Sequence, residues 1–189
     1  GPLAVPGAYT AKLMVDGKSQ TAPLTLLPDP RVKASQADLE AQLALSLQIR
    51  DDITRLTGLV TGLRSVRQQL RARNEALDGN GRAASLVKAS EALIAKLDAL
   101  ESKMHNPEAQ VTYDILARNG TKLYSRISPL LDWVSDGDGA PAQGMREVYA
   151  LQKKELDQHE GELKALVSTD LAAINDAAAK LGIGYVVVK

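Results

Sequence analysis

One stretch, Ser35 to Leu77, constrains this chain more than any other. Its apolar residues Ile49, Ile53, Leu56, Val60, Leu63, Leu70 and Leu77 fall at alternating steps of three and four, with longer gaps at Arg67 and Asn74. That spacing draws one apolar stripe down a helix and suits a coiled-coil-like seam. Ser35 followed by Asp38 reads as a short-acid capping box, and Gly79 and Gly81 mark the far end. At ~1.5 Å per residue the rod is roughly 65 Å long. It cannot bury its stripe alone, so the rest of the chain has to supply partner helices.

Composition bears on what those partners are. Hydrophobic residues make up 44% of the 189, yet aromatics are only 3% and Phe is absent. The core is therefore built from Leu, Ile, Val and Ala, as bundles commonly are. Lys plus Arg and Asp plus Glu are 23 each, a balance that gives no long-range pull toward nucleic acid or an anionic membrane. With no Cys there is no disulfide, thiolate nucleophile or Cys-ligated metal. No apolar run approaches the ~18 residues of a membrane span. The start, Gly1-Pro2-Leu3, lacks the charged region and apolar core of a signal peptide.

The first residues differ in kind from the rest. Tyr9, Ala11, Leu13 and Val15 alternate with Thr10, Lys12 and Met14, a period-two strand pattern. Asp16-Gly17 is a strong hairpin signal. A second strand follows, about Lys18 to Leu27, and Pro28-Asp29-Pro30 ends it. One hairpin is marginal in water alone. Two readings stand: the last two strands of a β-sandwich whose other strands are missing, or a flap lying on the bundle.

The remaining segments read as helices. Gly58 and Gly62 interrupt the first at a cost of ~1 kcal/mol each against Ala. Helix 2 is expected over about Arg82–His105, with Leu86, Leu93, Leu97, Leu100 and Met104 on its stripe and Ser90 in one seam slot. Helix 3 is expected over about Glu108–Val134, with Leu116, Leu123, Ile127, Leu130 and Val134 on its stripe. Pro129 should kink or shorten it, and Trp133 and Tyr124 should cover a core edge. Helix 4 is expected over about Gln143–Val167, with Met145, Val148, Leu151 or Gln152, Leu156, Leu163 and Leu166 as its period. Ser168-Thr169-Asp170 can cap a further short helix ending at Gly182. The tail Gly184–Lys189 has strand composition, open to a strand or a disordered end. The expected fold is mainly α: an antiparallel four-helix, up-down-up-down bundle (residues 31–182) with an N-terminal β-hairpin (1–30) and a tail (183–189). Helices near 25 residues cannot cover a 43-residue rod in single crossings. Either the rod breaks near Gly58–Gly62, or part of its seam stays open. The end carrying Leu39, Leu43 and Leu47 should then be covered by the hairpin, the tail or a second chain.

Candidate chemistry is sparse. No His-x-x-x-His or Glu-x-x-His pair, the spacings of a helical metal site, surrounds His105 or His159. Asp136-Gly137-Asp138-Gly139 hints at calcium, but Ala140-Pro141 stands where an EF-hand loop needs further ligands, so a turn is expected. Arg64, Arg67, Arg71 and Arg73, with Arg82, form one basic cluster without aromatics for base stacking; Asp51, Asp52, Glu75 and Asp78 offset it, and a solvated helix face is the reading. Asp51-Asp52 and Glu160 with Glu162 are paired carboxylates, but a glycosidase needs two that converge in a cleft. No catalytic, cofactor-binding or metal-binding residue is assigned.

The string Val5-Pro6-Gly7-Ala8-Tyr9-Thr10-Ala11-Lys12-Leu13-Met14-Val15-Asp16-Gly17-Lys18 resembles the closing hairpin of the fibronectin- or Ig-like sandwich in large exported bacterial proteins. Those proteins carry sortilin-like β-propellers of BNR (bacterial neuraminidase) repeats and are often named glycosyl hydrolases. Asp29-Pro30-Arg31-Val32 and Ser35–Leu39 resemble their linker and the start of their terminal helical region. Arg118–Tyr124 resembles a further segment of it. The resemblance implies a non-catalytic, C-terminal interaction or assembly module of an exported multidomain protein, extracellular or periplasmic, with any hydrolytic site upstream. Its partner would be protein: its parent's other domains or a second copy. The alternative it implies is an accessory part of a sialidase-like glycoside hydrolase.

Overall fold

The structure is a computed structural model that describes residues 1–108 and 119–188. It is a mainly α bundle with an N-terminal antiparallel hairpin. The hairpin pairs β1 (Gly7–Val15) with β2 (Lys18–Leu26), Tyr9 opposite Leu24 and Ala11 opposite Ala22. Asp16 (φ 48°) and Gly17 (φ 77°) both lie in the left-handed region, which gives the type I′ turn that matches the twist of the strands.

Helix α1 (Gln36–Ala76) runs 41 residues without a break, and Ser35 and Asp38 close the expected capping box on its first turn. Its buried line is Leu45, Ile49, Leu56, Val60, Leu63, Val66 and Leu70, while Ile53 and Leu77 sit only at the edge of the core. A short 3₁₀ turn at Gly81–Ala83 leads into α2 (Ala84–Met104). All five expected apolar stripe residues of α2 are buried, as is Ser90. Helix α3 (Leu123–Ser135) starts later than expected, because Asn119 (φ 59°) and Gly120 (φ 68°) adopt left-handed backbone that a helix cannot contain. The rest of the expected helix 3, Leu116 included, falls on residues 109–118, outside the described ones. Pro129 lies inside α3.

Helix α4 (Gln143–Ala165) passes through a π-helical turn (Leu166–Leu171) into α5 (Ala172–Lys180). Ser168-Thr169-Asp170 therefore does not cap a new helix. The Ser168 and Thr169 hydroxyls bond back to the Ala165 carbonyl, at 3.3 and 2.6 Å. Gly182 (φ 71°) ends α5 in a Schellman motif: its N–H reaches the Ala179 carbonyl, and the Ile183 N–H reaches Ala178.

Cross-helix bonds set the directions. Arg73 meets Ser90 and Arg64 meets Glu101, so α2 runs antiparallel to α1 beside its C-terminal half. Gln42 meets Val134 and Gly137, so α3 also runs against α1, beside its N-terminal half. Asp52 meets Tyr149 and Arg55 meets Asp157, so α4 runs with α1 and antiparallel to α3. The pairs α1–α2 and α3–α4 are thus each antiparallel. Two short helices laid end to end against one long one cover α1 without breaking it, and Leu39, Leu43 and Leu47 are half-buried.

Candidate functional site

Most polar residues singled out above are consumed by packing. The arginine cluster is not a plain solvated face. Arg64 donates to Glu101 at 2.6 Å, and Arg67 bridges Asp98 and Glu101, whose carboxylate is 2% exposed as a residue. Arg71 adds a longer contact to Asp98. Their partners lie on α2, not among Asp51, Asp52, Glu75 and Asp78. Spacing along α1 carries no signal for this, since the acids sit in another helix. Arg73 is half-buried with one bond, to the Ser90 hydroxyl, and burial lowers its guanidinium pKa.

His105 lies beside Arg64 and stacks at a tilt on Tyr124, with ring centroids 5.8 Å apart. Burial, and then the Arg64 charge, lower its pKa. His159 is buried, with ring nitrogens 3.5 Å from Glu155 and 3.8 Å from Glu162. Among the described residues no group of three His, Cys, Asp or Glu could hold a metal ion. The Asp136–Gly139 turn offers the Gly137 carbonyl to Gln42, whose carboxamide also holds the Val134 carbonyl at 2.7 Å. A side chain of α1 thereby satisfies the free end of α3.

The paired carboxylates do not converge. Asp52 is buried under the Tyr149 hydroxyl at 2.7 Å, and Asp51 faces out onto Arg50. Burial, then the bond to Asp52, raise the Tyr149 phenol far above its ordinary value. Glu160 pairs with Lys164, and Glu162 with Lys103. No helix among the described residues is long and apolar enough to cross a membrane.

What packing leaves over is the hairpin. Every residue of both strands is exposed, so it does not lie on the bundle as a flap. Strand alternation places Tyr9, Ala11, Leu13 and Val15 on one face with Ala22, Leu24 and Leu26, and with Gln20 and Lys18 at the turn end. The opposite face carries Thr10, Lys12, Ser19, Thr21 and Thr25 together with Ala8, Met14 and Pro23. The sheet is thus amphipathic, and Leu13, Val15 and Leu24 are 64, 56 and 57% exposed on its apolar side. Both edges are also open, because the sheet has only two strands. The Gln36 carboxamide ties the start of β1 to α1 through the Pro6 carbonyl at 3.1 Å. The bundle holds the hairpin at one end and leaves its apolar face bare.

Val148, Trp133 and Tyr124, expected in or at the edge of the core, are exposed. Of the alternatives Leu151 and Gln152, Gln152 takes the buried slot and Leu151 is exposed. No protein-family model, curated protein or solved structure matches the chain.

Proposed function

We propose that this chain is a non-catalytic interaction module of a larger exported protein, and that the hairpin is its docking element. The observation that carries the reading is the bare apolar face formed by Tyr9, Leu13, Val15, Leu24 and Leu26. A two-stranded sheet is marginal alone, and an apolar sheet face is the half of a sandwich core that waits for another sheet. The partner is therefore a β-sheet with its own apolar face, the remaining strands of the sandwich suggested by the resemblance of Val5–Lys18. The bundle acts as the rigid stalk that presents the hairpin. The family's glycosidase chemistry, on this reading, belongs to upstream domains.

Without that sheet, two copies should bury their hairpin faces on each other. Sedimentation velocity across a concentration series tests this. The weight-average mass of the wild type should rise with concentration, and the doubly substituted Leu13→Lys, Leu24→Lys chain should stay monomeric. A wild type and a double variant with the same concentration profile would overturn the reading.

A further inference from the structure

The tail beyond α5 is held in an unusual way. The Asn175 carboxamide of α5 accepts from the Val186 N–H and donates to its carbonyl, both at 2.9 Å. The Gln69 carboxamide of α1 does the same to Val187, at 3.1 and 2.8 Å. A carboxamide reaches the N–H and C=O of one residue together only when both point the same way, as they do in an extended backbone. Successive residues of such a backbone present these groups to opposite edges. Asn175 and Gln69 therefore grip the two edges of one extended segment, as neighbouring strands would. Side chains follow the same alternation: Val186 is 4% exposed, and Tyr185 and Val187 are 66 and 51% exposed. Val186 joins the apolar core. Gln69 is itself oriented by the Ser65 carbonyl and hydroxyl.

We propose that this groove between α1 and α5 is a receptor for an extended peptide with a β-branched aliphatic residue. The chain's own residues 185–187 are its resident ligand, and a segment of the same chemistry on another chain replaces them. Four of the bonds engage backbone alone, so the site selects conformation and one aliphatic side chain rather than a full sequence. The resident segment is tethered, so it competes at an effective concentration on the order of millimolar. Gly182 and Gly184 flank Ile183 and supply the joint about which it leaves. The site shares no residue with the hairpin, so this inference and the docking reading can fail separately.

The test uses the full-length chain and a fluorescent peptide with the sequence of residues 184–189. Val186→Asp expels the resident segment by placing a charge in the aliphatic slot. Val187→Pro removes the N–H that Gln69 receives, at an exposed position that leaves the core intact. Anisotropy should show both variants binding the peptide about tenfold or more tighter than the wild type, whose own tail competes. Adding Asn175→Leu should abolish that binding, and a peptide with Asp in place of Val186 should not bind. If a variant fails to fold by circular dichroism, the wild type decides: excess peptide should speed hydrogen exchange at its Val186 and Val187 amides. A folded variant that binds no better than the wild type, binding indifferent to Asn175→Leu, or unchanged exchange in that last case would overturn the proposal.

Discussion

At the scale of single residues, burial separates side chains that look alike in sequence. Leu63 is fully buried mid-seam, and Leu63→Asp places an unpaired charge there at a cost of several kcal/mol, enough to unfold a marginal domain. Arg64 was expected to face water and to be nearly silent on substitution. Its bond to the buried Glu101 changes that expectation: Arg64→Ala should cost about 1–2 kcal/mol, softened because Arg67 still serves the same carboxylate. Chemical denaturation of both variants checks the order, and equal losses would contradict it. Tyr149→Phe strips Asp52 of its hydroxyl donor and leaves it, among the described residues, the 3.6 Å contact to Arg55, so a loss of about 1–3 kcal/mol is expected. Acid should loosen the helix-to-helix ion pairs. Lys96 holds the Asp170 carboxyl below its ordinary value, and Lys103, then Gln158, do so for Glu162. A folded-state pKa below the unfolded one gives stability that is complete above the ordinary carboxylate range and lost as pH falls through the folded values. The lost increment is small, because both pairs are largely exposed. Lys96→Met should lower the melting-temperature plateau above about pH 4.5 slightly and converge with the wild type as the pH falls and Asp170 is protonated, which flattens the profile.

At the scale of elements, the turn at Leu166–Leu171 shows why the chain departs from plain α-helix. Leu156 and Leu163 are seven apart, but Leu163 and Leu171 are eight. At ~3.6 residues per turn an ordinary helix would bring Asp170 to the core, and the wider π turn absorbs the extra residue. Leu171, Ile174 and Ala178 then stay buried while Asp170 reaches Lys96 at 2.5 Å. Deleting Ser168 should therefore be tolerated as a return to seven-residue spacing, whereas deleting Gln158 should throw the following core positions out of register. Circular dichroism melts of the two deletions compare them, and a Ser168 deletion that unfolds like the other would contradict the account. Gly58 and Gly161 sit in helix interiors where an added Cβ meets nothing within 4 Å, so Ala at either should stabilise by up to about 1 kcal/mol. These elements also show what could be read in advance. The seam of α1, the Asp16-Gly17 turn, the Ser35 cap and the α2 stripe were legible because each is a local pattern of a few residues. The start of α3 was obscured because Asn119 and Gly120 break a stripe that apolar spacing continues through. The π turn was obscured because Ser168-Thr169-Asp170 looks like a cap. Leu151 and Val148 match a helical period as well as Gln152 does, and only the neighbouring helices decide which of them is covered.

At the scale of the whole molecule, α2 and α3 share the work of covering α1, and α4 with α5 runs beside them as one long rod. Which half of α1 each short helix takes is a non-local matter, set by partners such as Gln42–Val134 and Arg64–Glu101, and no spacing in the chain encodes it. The candidate docking face was legible in part: the alternation of Tyr9 to Val15 gave the strand, and the marginal stability of a lone hairpin gave the need for a partner. That the hairpin stands clear of the bundle follows only from its full exposure. The peptide-gripping pair Gln69 and Asn175 carried no signal, because two carboxamides 106 positions apart in the chain look like any surface pair until the tail is placed between them. The central claim is that the bundle stands alone and the hairpin awaits another sheet. Hydrogen exchange resolved by residue tests it most directly, at low and at high protein concentration. The account predicts strong protection along α1 and α2 at both, with β1 and β2 amides exchanging fast in the dilute monomer and slowing as the chain associates. Hairpin amides in the dilute monomer as protected as those of Leu56 and Leu63 would mean that the hairpin needs no partner, and would contradict it.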